Sequence, residues 1–129
     1  MSGRRAVLMA VMALPLAGCG SDDGEAADPA TSGRAGQTLR ISADPSGGLR
    51  FDVRRLNARA GVVTLTMDNP SAVPHAVAIK GKGLDVRGKS VGRGKVSTVT
   101  ADLEPGTYSF YCPVGSHDVA GMRGPLRVR

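Results

Sequence analysis

The sequence predicts an all-β fold, a sandwich of two sheets, and three observations predict it. Apolar residues recur with period two in several short segments. Turn residues separate those segments at regular intervals, and no long stretch has apolar residues at helical spacing. Of 129 residues, only two Tyr and two Phe are aromatic and Trp is absent, so Val, Leu, Ile and Ala must form the core. The length suits one small domain.

The N-terminal segment is a separate matter. Arg4 and Arg5 precede an apolar run of eleven residues, Ala6–Leu16. A bilayer-spanning helix needs about 20, so the run fits the hydrophobic region of a signal peptide instead. It ends in Leu16-Ala17-Gly18-Cys19, which resembles the lipobox of bacterial lipoproteins. That resemblance implies cleavage before Cys19 and a diacylglycerol on its thiol, with residues 1–18 as signal. Ordinary secretion, with Cys19 free or disulfide-bonded, is the alternative. Residues 19–36 read as a lipid-anchored flexible linker: Asp22, Asp23 and Glu25 lead into Ala, Pro, Ser and Gly without apolar pattern. Residues 20–36 would reach roughly 20–25 Å as a flexible chain. The folded domain is expected over 37–129.

Within it, Leu39 and Ile41 share a face of a first strand, and Val63, Leu65 and Met67 do so in 62–68. Val77 and Ile79 follow Pro74 in phase with His75, which places the histidine inward at the start of its strand. In 106–112 the phased set is Tyr108, Phe110 and Cys112, and Leu126 and Val128 close the chain. Further strands are expected near 50–58 and 96–101. Turns fall at Pro45-Ser46-Gly47-Gly48, Asn69-Pro70-Ser71 and Glu104-Pro105-Gly106.

Only two cysteines and two histidines are present. With Cys19 lipidated, Cys112 is the domain's lone thiol, and an exported lone thiol oxidises unless it is buried or bound. The segment from Cys112 through His117 to Met122 has the spacing C-x4-H-x4-M. A loop of about ten residues therefore brings thiolate, imidazole and thioether together, and His75 arrives from another strand. Taken singly, an inward Cys is usually a small hydrophobe and a Met a gap-filler. Both histidines, the domain cysteine and one of two domain methionines nevertheless fall in one ligand set. Two imidazoles and a thiolate with a weak axial sulfur suit copper. Zinc is the nearest competitor, but methionine is a poor zinc ligand.

Residues 37–129 resemble the plastocyanin and azurin group of cupredoxins. The likeness rests on Asn69-Pro70-Ser71-Ala72-Val73-Pro74-His75, on Gly106–Cys112 and on Met122–Val128. It implies a Greek-key β-sandwich of seven or eight short strands holding one type 1 copper. His75, Cys112 and His117 would be its in-plane ligands and Met122 the axial one, on a loop of azurin's length. It also implies that the backbone N–H groups of Ala76 and Val114 donate to the cysteine sulfur. Two positions depart from the family pattern. Ala76 stands where many relatives carry a bracing Asn, and Ser116 where a glycine often precedes the second histidine.

Gly83-Leu84-Asp85-Val86-Arg87-Gly88-Lys89-Ser90 matches the P-loop pattern, but Val91-Gly92-Arg93-Gly94 opposes the helix that a P-loop requires. It reads as a glycine-rich surface connection, with no nucleotide bound. Lys80, Lys82, Arg87, Lys89, Arg93 and Lys95 make this region basic, and residues 37–129 carry 14 basic against seven acidic residues. This is either a solvated face or a docking surface for an acidic redox partner or anionic headgroups. Nucleic acid is not expected, since stacking aromatics are few.

The resulting expectation is a monomeric one-electron carrier cycling Cu(I)/Cu(II), held at the outer face of a membrane by lipidated Cys19. Copper storage or delivery is the alternative function. An oxidase or reductase with further copper would need further histidines, so no enzymatic activity is expected.

Overall fold

The computed structural model describes residues 36–129. Eight strands run in the order β1 (Gln37–Ser42), β2 (Leu56–Ala58), β3 (Gly61–Asn69), β4 (Ala78–Gly81), β5 (Leu84–Arg87), β6 (Lys95–Leu103), β7 (Gly106–Tyr111) and β8 (Arg123–Val128). They form two mixed sheets, one ordered β1-β3-β6 and the other β2-β8-β7-β4-β5. β1 lies parallel to β3 and β2 parallel to β8, while the remaining ladders are antiparallel. No helix occurs among the described residues. The expected sandwich is therefore present, with eight strands.

Period-two alternation builds the core. Val63, Leu65 and Met67 of β3 are fully buried, as are Ile79, Phe110 and Leu126 of the facing sheet. Side chains of this size contribute about 1.5–3 kcal/mol each when fully buried. Phe51 packs on Phe110 with ring centroids 5.5 Å apart. The Tyr108 hydroxyl donates to Glu104 O at 3.0 Å, tying the turn before β7 to the strand it opens. Gly124 is required by packing, because a Cβ there would lie 2.7 Å from Phe110 Cζ and 2.5 Å from Arg54 O.

Several boundaries differ from expectation. The strand expected near 50–58 is only Leu56–Ala58, with Phe51 making an isolated bridge to Ala43. The strand near 96–101 is longer, Lys95–Leu103, because its inward Ser97, Val99, Ala101 and Leu103 keep phase throughout. The His75 strand begins only at Ala78. Its would-be first residues have spent their amides elsewhere: Ala76 N donates to Cys112 Sγ, and Val77 N to Ser97 Oγ at 3.2 Å. Residues 83–90 are not wholly a surface connection, since Leu84–Arg87 pairs with Ala78–Gly81 as a hairpin. Lys82 and Gly83, the two residues between them, have φ of 50° and 82°, as a type I′ turn requires. After Arg87 the chain passes to β6, and no helix starts at Lys89.

Candidate metal centre

Cys112 stands one residue beyond β7, where that strand's inward face meets the end of the sandwich. Hydrogen bonds fold the ten residues that follow into compact turns. Cys112 N donates to Met122 O at 3.0 Å, Met122 N to His117 O at 3.0 Å, and His117 N to Val114 O at 3.1 Å. The backbone thus binds three of the candidate ligands to one another. The positive-φ residues this tight loop needs are Gly115 and Gly121, with φ 50° and 112°. Ser116 is relieved of that conformation, so its departure from the family glycine is accommodated one residue upstream.

His75 is placed from the other side of the site. It forms an isolated two-way bridge with Val91: His75 N donates to Val91 O at 3.2 Å, and Val91 N to His75 O at 2.8 Å. The preceding loop is pinned by Asn69, which is 1% exposed. Its Nδ2 donates to Val73 O and Val91 O, both at 2.9 Å, and its Oδ1 accepts from Ser71 N at 3.0 Å. Ser71 Oγ donates to Val73 O at 3.0 Å. Asn69 and Ser71 therefore organise the His75 loop although Ala76 cannot brace it. Sequence reasoning saw them only as a turn and a stretch of resemblance.

The donors converge. Cys112 Sγ lies 3.5 Å from His117 Nδ1 and 3.9 Å from His75 Nδ1. One donor atom from each of the three side chains falls within 4.8 Å of the others. Donors about 2.0–2.3 Å from one first-row ion in a trigonal plane stand roughly 3.5–4 Å apart, so the spacing fits. The imidazole planes of His75 and His117 cross at 61°. Cys112, His75 and Met122 are fully buried, whereas His117 is half-buried. His75 Nε2 is buried without a hydrogen-bond partner, which does not suit a histidine held for structural hydrogen bonding.

Burial sets the protonation of these donors. Burial pushes the Cys112 thiol above its ordinary value, the N–H groups of Ala76 and Val114 pull it back, and nearby Asp118 adds to the rise. Both expected amide donors thus act on the sulfur, Ala76 N at 3.5 Å. Burial, and next the charge of His117, hold His75 below its ordinary value. A neutral imidazole is the metal-binding form. A divalent ion would offset the burial of the thiolate, since metal binding releases the thiol proton.

Ion pairs divide the basic stretch. Lys80 reaches Asp118 at 2.6 Å and lies over the Tyr111 ring at 4.1 Å. Lys82 pairs with Glu104 at 3.8 Å, and Arg87 with Asp85 at 2.8 Å. Lys89, Arg93 and Lys95 are exposed and have no carboxylate partner among the described residues. Asp118 is a residue that sequence reasoning missed. It follows His117 directly and fastens the ligand loop to β4, and the acid beside a ligand in C-x4-H-D was the available signal. Cys19 lies outside the described residues.

Two imidazoles, a thiolate and a buried methionine, carried on a two-sheet sandwich, define a type 1 copper protein. The chain belongs to the cupredoxin-like domain family, whose profile matches residues 9–124. Among solved structures it is similar to the dithionite-reduced auracyanin of Roseiflexus castenholzii, with 25% identity, 75% of this chain and 99% of that chain covered, and a TM-score of 0.64. Auracyanin A of Chloroflexus aurantiacus is 22% identical over 74% of this chain and 100% of its own, with a TM-score of 0.62. A reduced variant of amicyanin is 21% identical over 71% and 82% of the two chains, with a TM-score of 0.54. No curated protein matches the chain.

Proposed function

We propose that this protein is a one-electron carrier held at the outer face of a membrane through Cys19. The observation that carries the reading is the convergence of Cys112 Sγ with the two imidazole Nδ1 atoms, at 3.5 and 3.9 Å, in a buried site. Copper, when bound, supplies one-electron chemistry by alternating between Cu(I) and Cu(II). The chain's part is to hold one donor set that serves both states. Thiolate and thioether suit the reduced ion, and imidazoles suit the oxidised one. The backbone bonds among residues 112–122 and the Asn69 network resist rearrangement of those donors, so little reorganisation accompanies each transfer. His117, half-buried beside Val119, which is 76% exposed, offers the route for electrons to a partner. Lys89, Arg93 and Lys95 would favour an acidic partner at this end, because Val91 between them bridges to His75.

Auracyanin A, one of the similar structures, is a "blue" copper protein, which agrees with this reading. Storage or delivery is the other function for the same donors. Delivery would favour an exposed, labile site, whereas His75, Cys112 and Met122 are fully buried. The test is to cycle the copper-loaded protein with ferricyanide and ascorbate in the presence of a Cu(I) chelator. A carrier bleaches and recovers through repeated cycles while retaining its copper. Rapid loss of Cu(I) to the chelator would contradict the carrier reading and favour delivery. Export and lipidation are tested separately, by the mass of Cys19-containing peptides from a bacterial host.

A further inference from the structure

A second set of charges has no role in holding the metal ligands, although one of its members, Arg54, shares a groove with Gly121 and Arg123 beside Met122. β8 presents Arg127 outward and Arg129 follows it, while the segment leading through β2 presents Arg54, Arg55 and Arg59, all exposed. Four of them, Arg54, Arg55, Arg127 and Arg129, line a groove of about 650 Å³ with Asn57 and Thr107. Arg59 and Arg129 line an adjoining groove with Gln37. None of the five pairs with a carboxylate among the described residues. All five are arginines, whereas all four domain lysines fall within 80–95, with Arg87 and Arg93 among them. Planar guanidinium groups, which donate in pairs, suit phosphate oxygens better than ammonium groups do.

Position selects the occupant. The domain is entered at Gln37, whose side chain donates to Arg59 O at 2.6 Å and accepts from Arg59 N at 3.1 Å. Cys19 precedes Gln37 by 18 residues, a span of at most about 65 Å if fully extended, so an anchor there keeps this end near its bilayer. The Arg127 end of the groove is poorly placed for an electron-transfer partner. Thr107, opposite Arg127 in the ladder, stands five residues before Cys112, about 16 Å along the strand.

We propose that the groove of Arg54, Arg55, Arg59, Arg127 and Arg129 binds the phosphates of anionic phospholipid headgroups. It thereby holds the domain against its own membrane with the His117 end turned outward. The orientation rests on the membrane anchorage proposed above, whereas headgroup binding does not. The groove's contribution is attraction and orientation, and the anchor supplies residence.

The test uses the unlipidated exported chain, residues 20–129, so failure of lipidation at Cys19 leaves it unaffected. Co-sedimentation is measured with vesicles of phosphatidylcholine alone, and with an equimolar mixture of phosphatidylcholine and phosphatidylglycerol. Arg55→Gln/Arg127→Gln/Arg129→Gln is compared with a lysine-region variant, Lys89→Gln/Arg93→Gln/Lys95→Gln, which removes the same charge from the other region. We expect binding to the mixed vesicles only, weakened on the order of a hundredfold by the arginine variant and far less by the lysine-region variant. Arg127→Gln alone should cost about fivefold, which guards against a triple variant that folds poorly. Equal loss in both triple variants would overturn the proposal in favour of diffuse charge. Absence of vesicle binding would overturn it in favour of a soluble acidic partner. Binding that emerges only after Asp22, Asp23 and Glu25 are neutralised would overturn it too, by assigning the groove to the chain's own acidic segment.

Discussion

Asn69→Ala is the sharpest test of how the His75 loop is held. Asn69 is 1% exposed, and its amide makes three hydrogen bonds: to Val73 O, to Val91 O and from Ser71 N. The carbonyls are not orphaned by the substitution, since Val73 O still accepts from Ser71 Oγ and Val91 O from His75 N. Losing those two donors removes roughly 0.5–1.5 kcal/mol each at most. Ser71 N is different, because Ser71 is fully buried and that amide has its acceptor in Asn69 Oδ1. Orphaning it costs about 1–3 kcal/mol. Because the three bonds share one side chain the terms are not additive, and the expected total is about 2–4 kcal/mol. Urea unfolding of the metal-free protein measures it. Thr64→Ala, which breaks only the Thr64–Thr100 hydroxyl contact at 3.0 Å on the outer sheet face, serves as control and should cost about 0.5 kcal/mol or less. If Asn69→Ala is as mild as the control, the loop is held by packing alone and the reasoning fails.

Other predictions follow from the same structure. Phe110→Ala should cost about 3–5 kcal/mol in the same assay, because a fully buried ring packed against Phe51 is lost; a cost below about 1.5 would show that the sheets close over the gap. Lys80→Gln should cost roughly 0.5–1.5 kcal/mol through Asp118 and the Tyr111 ring, with a loss that shrinks in high salt; a salt-independent loss would point to packing of its stem. Burial holds His75 below its ordinary value of 6.5, so the unfolded chain takes up a proton first as pH falls. The metal-free protein should therefore keep this contribution above about pH 6.5 and lose it progressively below, read as a falling urea midpoint between about pH 7.5 and pH 5.5. His75→Gln should flatten that part of the profile, and an unchanged slope would contradict the assignment.

The ligands were legible because their chemistry is written in spacing. Cys112, His117 and Met122 lie on one short loop, and His75 follows Pro74 in phase with Val77 and Ile79. The inward faces of β3 and β7 were legible for a similar reason, since period two survives wherever one sheet face is buried. What escaped depends on partners distant in sequence. The resemblance implied Ala76 N as a donor to Cys112 Sγ, but nothing near His75 announces that Val77 N serves Ser97 Oγ, 20 residues away. The strand boundary therefore moved to Ala78. The β4–β5 hairpin escaped because Lys82-Gly83 lacks the Asn or Asp that usually marks a type I′ turn. The basic stretch read as one patch because sequence does not show that Asp118, Glu104 and Asp85 return to meet Lys80, Lys82 and Arg87.

The central claim is that His75, Cys112, His117 and Met122 together hold one copper. Titration of the purified chain with Cu(II), followed by visible absorption and EPR beside Cys112→Ser, tests it most directly. The account predicts saturation at one equivalent, with an intense thiolate-to-copper blue band that the serine variant lacks. Copper bound weakly or merely reduced by the thiol, with no such band, would contradict it.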